Sequence, residues 1–258
     1  MTWIYVVPSL LFCLILIGVM VAIACFGHWL VYRYVPHRDF VKHNDVAGFV
    51  LAIIGVVYAV LLSFVVVVVW QEFENSDATA QREASAAADM YRLSAAYPAP
   101  FRQLIRAELR RYTRLMIDDE WPAMRLGGAS RAAKDLTGLL ADELSSYKPG
   151  TSNQVQVQAV MLGSLRVFLD SRRQRLHDNE TGIPRILWGV LIASGVITIG
   201  FVYLFGMENF RIQLLMTALL AAIIGLMFTL IVELDYPFRG DTSISPHSWL
   251  LVEDQLMR

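Results

Sequence analysis

The sequence predicts an all-α integral membrane protein, with four transmembrane helices and a helical aqueous domain between the second and the third. Three observations carry that expectation. Apolar residues make up 56% of the 258 while charged residues make up only 17%, a balance greasier than a water-exposed domain needs. Four charge-free stretches, residues 1–32, 46–70, 186–207 and 212–232, each reach the roughly 20 apolar residues that cross about 30 Å of hydrocarbon. The segment between the second and third stretches, 71–182, gathers 15 of the 22 Lys plus Arg and 15 of the 23 Asp plus Glu.

The first span carries the interfacial rings such helices favour, Trp3 and Tyr5 at one end and Trp29, Tyr32 and Tyr34 at the other. It makes a poor signal peptide, because no Lys or Arg precedes it and its apolar run is too long; Ala22-Ile23-Ala24-Cys25 is a faint lipoprotein-like box that the same reasons set aside. The second span ends near Trp70, yet nothing breaks a helix from Val56 to Tyr97, so a rod on the order of 63 Å is expected to continue from lipid into water. Its aqueous half is rich in Ala, which lets neighbouring helices approach closely.

Residues 71–182 read as four helices, 71–96, 101–118, 130–147 and 153–177, punctuated at Pro98, Pro100, Pro122, Gly127-Gly128 and Pro149-Gly150. The break Gly182-Ile183-Pro184 starts the third span, flanked by Trp188 and Tyr203. The expected organisation is thus 1–70 for the first two membrane helices, 71–182 for the aqueous domain, 183–234 for the last two membrane helices and 235–258 for a tail. Four Lys or Arg lie on one side (Arg33, Arg38, Lys42, Arg211) and seven on the other (Arg82, Arg166, Arg172, Arg173, Arg175, Arg239, Arg258). This count places the aqueous domain in the cytoplasm of a multi-pass inner-membrane protein, although the first loop alone votes the other way.

A net charge of −1 and the lack of a basic arm exclude nucleic acid as a partner. Cys13 and Cys25 lie twelve positions apart on one helix, about 18 Å, too far to pair within a chain. Neither a metal-ligand spacing nor a nucleophile elbow nor a phosphate-cradling glycine loop is present in the sequence, so no cofactor and no enzymatic activity are expected. His28, His37, His43, His177 and His247 sit near membrane boundaries and read as interfacial side chains. The trio Asp118-Asp119-Glu120 reads as a solvated helix end rather than a metal site.

Three patterns remain. Gly48, Ala52, Gly55, Ala59 and Ser63 recur at steps of four, three, four and four, giving the second span one smooth stripe. That stripe either packs against another helix or, repeated about a symmetry axis, lines a narrow apolar pore with Val56 and Val60 at its constriction. Arg102, Arg106, Arg110 and Arg114 form a basic stripe opposite Leu104, Ile105, Leu109, Tyr112 and Met116. It is a solvated face, or a ring that gathers anions at a vestibule or grips lipid headgroups. At Glu233–Asp241, "ELDYPFRGD", Pro237 and Gly240 stop the fourth helix, while Phe238 follows as a turn residue. Glu233 and Asp235, so near hydrocarbon, call for a partner such as Arg239, Arg211 or an arginine on another chain.

The stretches "AGFVLAIIGVVYAVLLSFVVVVVW", "EW" before Pro122 and "LDYPFRG" resemble the bestrophin-like family of bacterial membrane proteins over roughly residues 40 to 246. More distantly, "FVVVVVWQEFENS" and "YPFRGD" are similar to the end of the pore-lining second helix, and to the turn after the fourth, in true bestrophins. Those are pentameric anion channels with four membrane helices per subunit. The resemblance implies a homo-oligomer, most simply a pentamer, in a lipid bilayer, conducting small inorganic anions, with Ala52, Val56 and Val60 at the neck when aligned on Trp70. Two departures stand out. The neck lacks bulky aromatic side chains, and Arg239-Gly240-Asp241-Thr242-Ser243 replaces the acidic cluster of calcium-activated members, so calcium gating by that route is not expected. The competing expectation is a membrane scaffold or sensor without a permeation path.

Overall fold

The computed structural model describes residues 8–35, 44–206 and 209–257. Trp3, Tyr5, His37, Arg38, Lys42, His43, Met207 and Arg258 therefore lie outside the described residues. Nine α-helices are described: α1 Ser9–Tyr34, α2 Asn44–Leu93, α3 Ala99–Leu115, α4 Trp121–Arg125, α5 Arg131–Ser146, α6 Ser152–Glu180, α7 Arg185–Val202, α8 Phe210–Asp235 and α9 His247–Val252. No strand occurs among the described residues. The chain forms two compact units, one from the segment up to Gln71 with Ile183–Asp235, the other from Glu72–Gly182 with the segment from Tyr236 onward.

The first unit holds α1, the first part of α2, α7 and α8. Among the described residues four helices are long and apolar enough to cross a membrane, within Ser9–Tyr34, Asn44–Ala96, Ser152–Val202 and Phe210–Asp235. Without a hydrophobic drive between helices in lipid, close packing through small residues holds such bundles together. A Cβ on Gly225 of α8 would come within 3.3 Å of the Ile17 Cα on α1, and one on Gly27 within 2.8 Å of the Tyr203 hydroxyl oxygen. That hydroxyl donates to the Ala24 carbonyl at 2.8 Å. His28, expected at the interface, is buried instead, 5.8 Å from the Phe210 ring and edge-on to Tyr203. The carboxylate of Asp235, at the end of α8, accepts from the Ile183 amide at 2.6 Å just before α7 begins, so the chain break at Gly182–Pro184 is tied down electrostatically.

The second unit is a helical bundle around Met90, Ile105, Leu109, Tyr112, Phe168 and Trp249, all fully buried. On α3 the buried positions Ile105, Leu109, Tyr112 and Thr113 fall on one side, as the amphipathic pattern requires; Leu104, assigned to that face from sequence, is 42% exposed. Hydroxyl caps start two helices: Ser130 accepts from the Ala133 amide at 3.1 Å, and Thr151 from the Gln154 amide at 3.2 Å. Pro122 does not break the chain as expected. The segment Met116–Glu120 takes π-helical geometry and runs directly into α4, where Pro122 occupies the first turn, a position that needs no amide donor.

Candidate functional site

The unbroken α2 is 50 residues long, about 75 Å, and its membrane portion presents two unlike sides. Tyr58, Leu62, Val65 and Val69 are buried, spaced by four, three and four, and this side faces the rest of its own unit. Tyr58 fits against Gly195 of α7, whose added Cβ would lie 2.9 Å from the phenol oxygen. The sequence-derived stripe runs from the edge of that row, at Gly48 and Gly55, round to the exposed side. Ala52, Ala59 and Ser63 are exposed, Val56 and Val60 are 64% and 49% exposed, and Gly48 and Gly55 are half-buried.

A Cβ placed on Gly48 or Gly55 meets nothing within 4 Å. Among the described residues no neighbour requires these two to be small, in contrast to Gly195 and Gly225. The Ser63 hydroxyl donates back to the Ala59 carbonyl at 2.8 Å, which hides its polarity from the surface. Val56, Ala59, Val60, Ser63, Phe64 and Val67 line a shallow apolar groove along this side.

The arginine stripe is engaged in the aqueous unit. Arg106 donates to the Ser94 hydroxyl at 3.0 Å and its guanidinium lies 4.7 Å from the Tyr91 ring centre. Arg110 donates to the Tyr91 hydroxyl at 2.7 Å, and Arg114 lies 3.6 Å from Glu253. Arg102 is half-buried. Two of the four thus brace α3 against the aqueous end of α2, a role the sequence stripe did not disclose. Arg110 and Arg114 keep exposed surface beside Arg111 and Asp118.

The largest departure from the sequence reading is a buried charge network. Glu83 of α2, Glu120, Arg172 and Arg175 are all under 10% exposed, and the two signs balance. Arg175 donates to Glu83 at 2.6 and 3.2 Å and to Glu120 at 3.1 Å. Arg172 donates to both Glu120 oxygens at 3.0 and 3.2 Å and to the Tyr112 hydroxyl at 3.1 Å, while that hydroxyl donates to Glu83 at 2.6 Å. The Ser130 amide completes the shell of Glu120 at 3.0 Å, and Arg175 stacks 5.2 Å from the Trp121 ring centre.

Glu120 is therefore not a solvated helix end. The π-helical turn carries it inward, while Asp119 accepts from the Ser130 hydroxyl and Asp118 remains exposed. Arg172 and Arg175, counted as flank charges in the sequence, are inside. Burial and the Glu83 carboxylate push the Tyr112 phenol well above its ordinary range against the pull of Arg175 and Arg172. Burial alone would lower Arg175, but Glu83, Tyr112 and Glu120 raise it above the usual arginine value. Sequence signals for this network exist only in hindsight: Glu83 and Arg175 lie 92 positions apart, and no local period links them.

At the turn after α8, Phe238 is buried against Trp121 at 5.9 Å. Arg239 stacks 4.2 Å from the Tyr236 ring centre and donates to the Asn179 carbonyl. Gly240 and Gly127 adopt φ of 77° and 78°, left-handed values that favour glycine. Glu233 accepts from the Ser9 hydroxyl at 2.8 Å, as Asp235 does from the Ile183 amide. No group of three or more metal-binding side chains occurs among the described residues.

Comparison with known proteins gives consistent answers on fold. The model of a bestrophin-like domain matches residues 18–249. A point mutant of a bacterial bestrophin homologue from Klebsiella pneumoniae superposes with a TM-score of 0.68 at 11% identity, covering 94% of this chain and 99% of that one. A second structure of the Klebsiella pneumoniae homologue, phased on zinc, gives 0.65 at 13% identity with 96% and 97% covered. A structure described only as a membrane protein gives 0.67 at 11% identity, covering 93% of this chain and 97% of that one. A sequence comparison with curated proteins finds no match.

Proposed function

The chain belongs to the bestrophin-like family, and from that premise we propose that it assembles into a homo-oligomeric ion channel, most simply a pentamer, in which α2 lines a pore for small anions. The observation that carries this reading is the two-sided character of α2. One side packs within its own chain through Tyr58, Leu62, Val65 and Val69, while Ala52, Val56, Ala59, Val60 and Ser63 are exposed and a Cβ added at Gly48 or Gly55 meets no described residue within 4 Å. Small, unbranched positions facing a shared axis leave room for an ion, and Val56 and Val60 would form an apolar constriction that gates by wetting. Arg110 and Arg114, repeated around the axis, would raise anion concentration at the mouth. The inner membrane and a cytoplasmic aqueous unit are part of the same proposal, resting on the count of basic residues.

Flux from chloride-loaded liposomes carrying the purified protein tests it. Wild type should release chloride under a potential, and Val56→Trp or Val60→Trp should cut the rate at least about tenfold by filling the constriction. Folded, oligomeric protein that passes no anion at any potential would replace the channel with the alternative of a scaffold or sensor.

A further inference from the structure

Outside the network described above, one pair of acids sits where acids should repel. Glu108 of α3 and Glu143 of α5 meet across the contact between these two helices. One oxygen of each carboxyl, Oε2, is buried and has no hydrogen-bond donor. Carboxylate oxygens only accept, so two facing ionised groups repel, whereas a single shared proton turns the contact into a strong hydrogen bond. We propose that Glu108 and Glu143 hold one proton between them and act as a proton-dependent clamp that joins α3 to α5 and loosens as the pH rises.

The surrounding charges do not remove the need for that proton. Among the described residues, Arg111 on the same helix as Glu108 favours the ionised form, and it is outweighed by burial and by Glu143, which together raise Glu108 to about 7. Of the acids on other elements that pack against α3, Glu253 lies against Arg114, Glu120 is held by Arg172 and Arg175, and Asp119 by the Ser130 hydroxyl; α5 itself also carries Arg131, Lys134, Asp135 and Asp142. Arg106 and Arg110 are turned to Ser94 and Tyr91. From α6, packed on the other side of α5, Gln158 contributes a neutral amide that donates to the Leu144 carbonyl.

The sign follows from linkage. The folded state binds the shared proton more tightly than the unfolded chain, whose glutamates titrate near the ordinary value. The clamp is at full strength below that ordinary value and is lost as the pH rises through about 7. It acts on the helix whose Arg106, Arg110 and Tyr112 grip Ser94, Tyr91 and Glu83, so the aqueous end of α2 is held by a proton-sensitive element. This inference does not depend on whether the assembly conducts ions.

Infrared titration of the full-length protein with carbon-13-labelled glutamate, in lipid nanodiscs, reads the proton directly. Wild type should show one protonated glutamate persisting near neutral pH with a midpoint of about 7. Glu143→Gln should lower the midpoint by at least about one pH unit by removing the like charge, and Glu108→Gln should erase it. A wild-type spectrum with every glutamate ionised at pH about 6.5, or a midpoint unmoved in Glu143→Gln, would overturn the proposal. The wild-type spectrum decides even where a variant fails to fold.

Discussion

Glu83 and Arg175 are fully buried and mutually bonded, so truncating either leaves a charge stranded in low dielectric. Arg175→Ala or Glu83→Ala should destabilise the aqueous unit by about 3–5 kcal/mol, whereas replacing buried charges jointly by well-packed apolar residues should cost far less. Thermal unfolding of single and double variants of the pair separates the two, since a double-mutant cycle isolates the coupling. At Gly195 the issue is space rather than charge. A side chain there meets the Tyr58 oxygen at 2.9 Å, so Gly195→Leu should force α7 off α2 and lower the unfolding temperature, while Gly195→Leu with Tyr58→Ala should recover part of the loss.

Such residue-level facts were only partly legible in the sequence. The amphipathic face of α3 was readable because its period is local. Glu120 was misread because its inward turn depends on π-helical geometry at Met116–Glu120 and on two arginines more than fifty positions away, neither of which leaves a mark in neighbouring residues.

At the scale of elements, α2 combines two demands. Its helix forms because nothing between Asn44 and Leu93 interrupts it, and its stripes arise because positions spaced by three and four share a side. The glycines divide accordingly. Gly55→Ala adds a methyl into open space within the chain and gains helix propensity of up to about 1 kcal/mol, so the folded chain should tolerate it. Any loss should show instead in oligomer mass or chloride flux, and native mass spectrometry beside unfolding curves distinguishes these outcomes. If the variant unfolds as readily as Gly195→Leu, the stripe packs inside the chain after all. Packing and pore could not be told apart for this stripe from the sequence, because periodicity names a side of a helix without saying what lies opposite.

On the scale of the whole molecule, four apolar helices and a charged helical insert were legible from composition alone, since hydrocarbon thickness fixes span length. What composition could not show is what covers the exposed apolar surface on α2; in the proposed channel it is further copies of the chain. The account holds that copies of α2 surround an axis with Ala52, Val56 and Ser63 turned toward water. The most direct test is thiol accessibility during chloride flux, in a background where Cys13 and Cys25 are replaced. A cysteine introduced at Val56 or Ser63 should react with a charged, membrane-impermeant thiol reagent and block the current, while one at Val50, turned away from that side, should not. If the current is untouched at Val56 and Ser63, and only a lipid-soluble reagent modifies them, these positions face acyl chains and α2 does not line a pore.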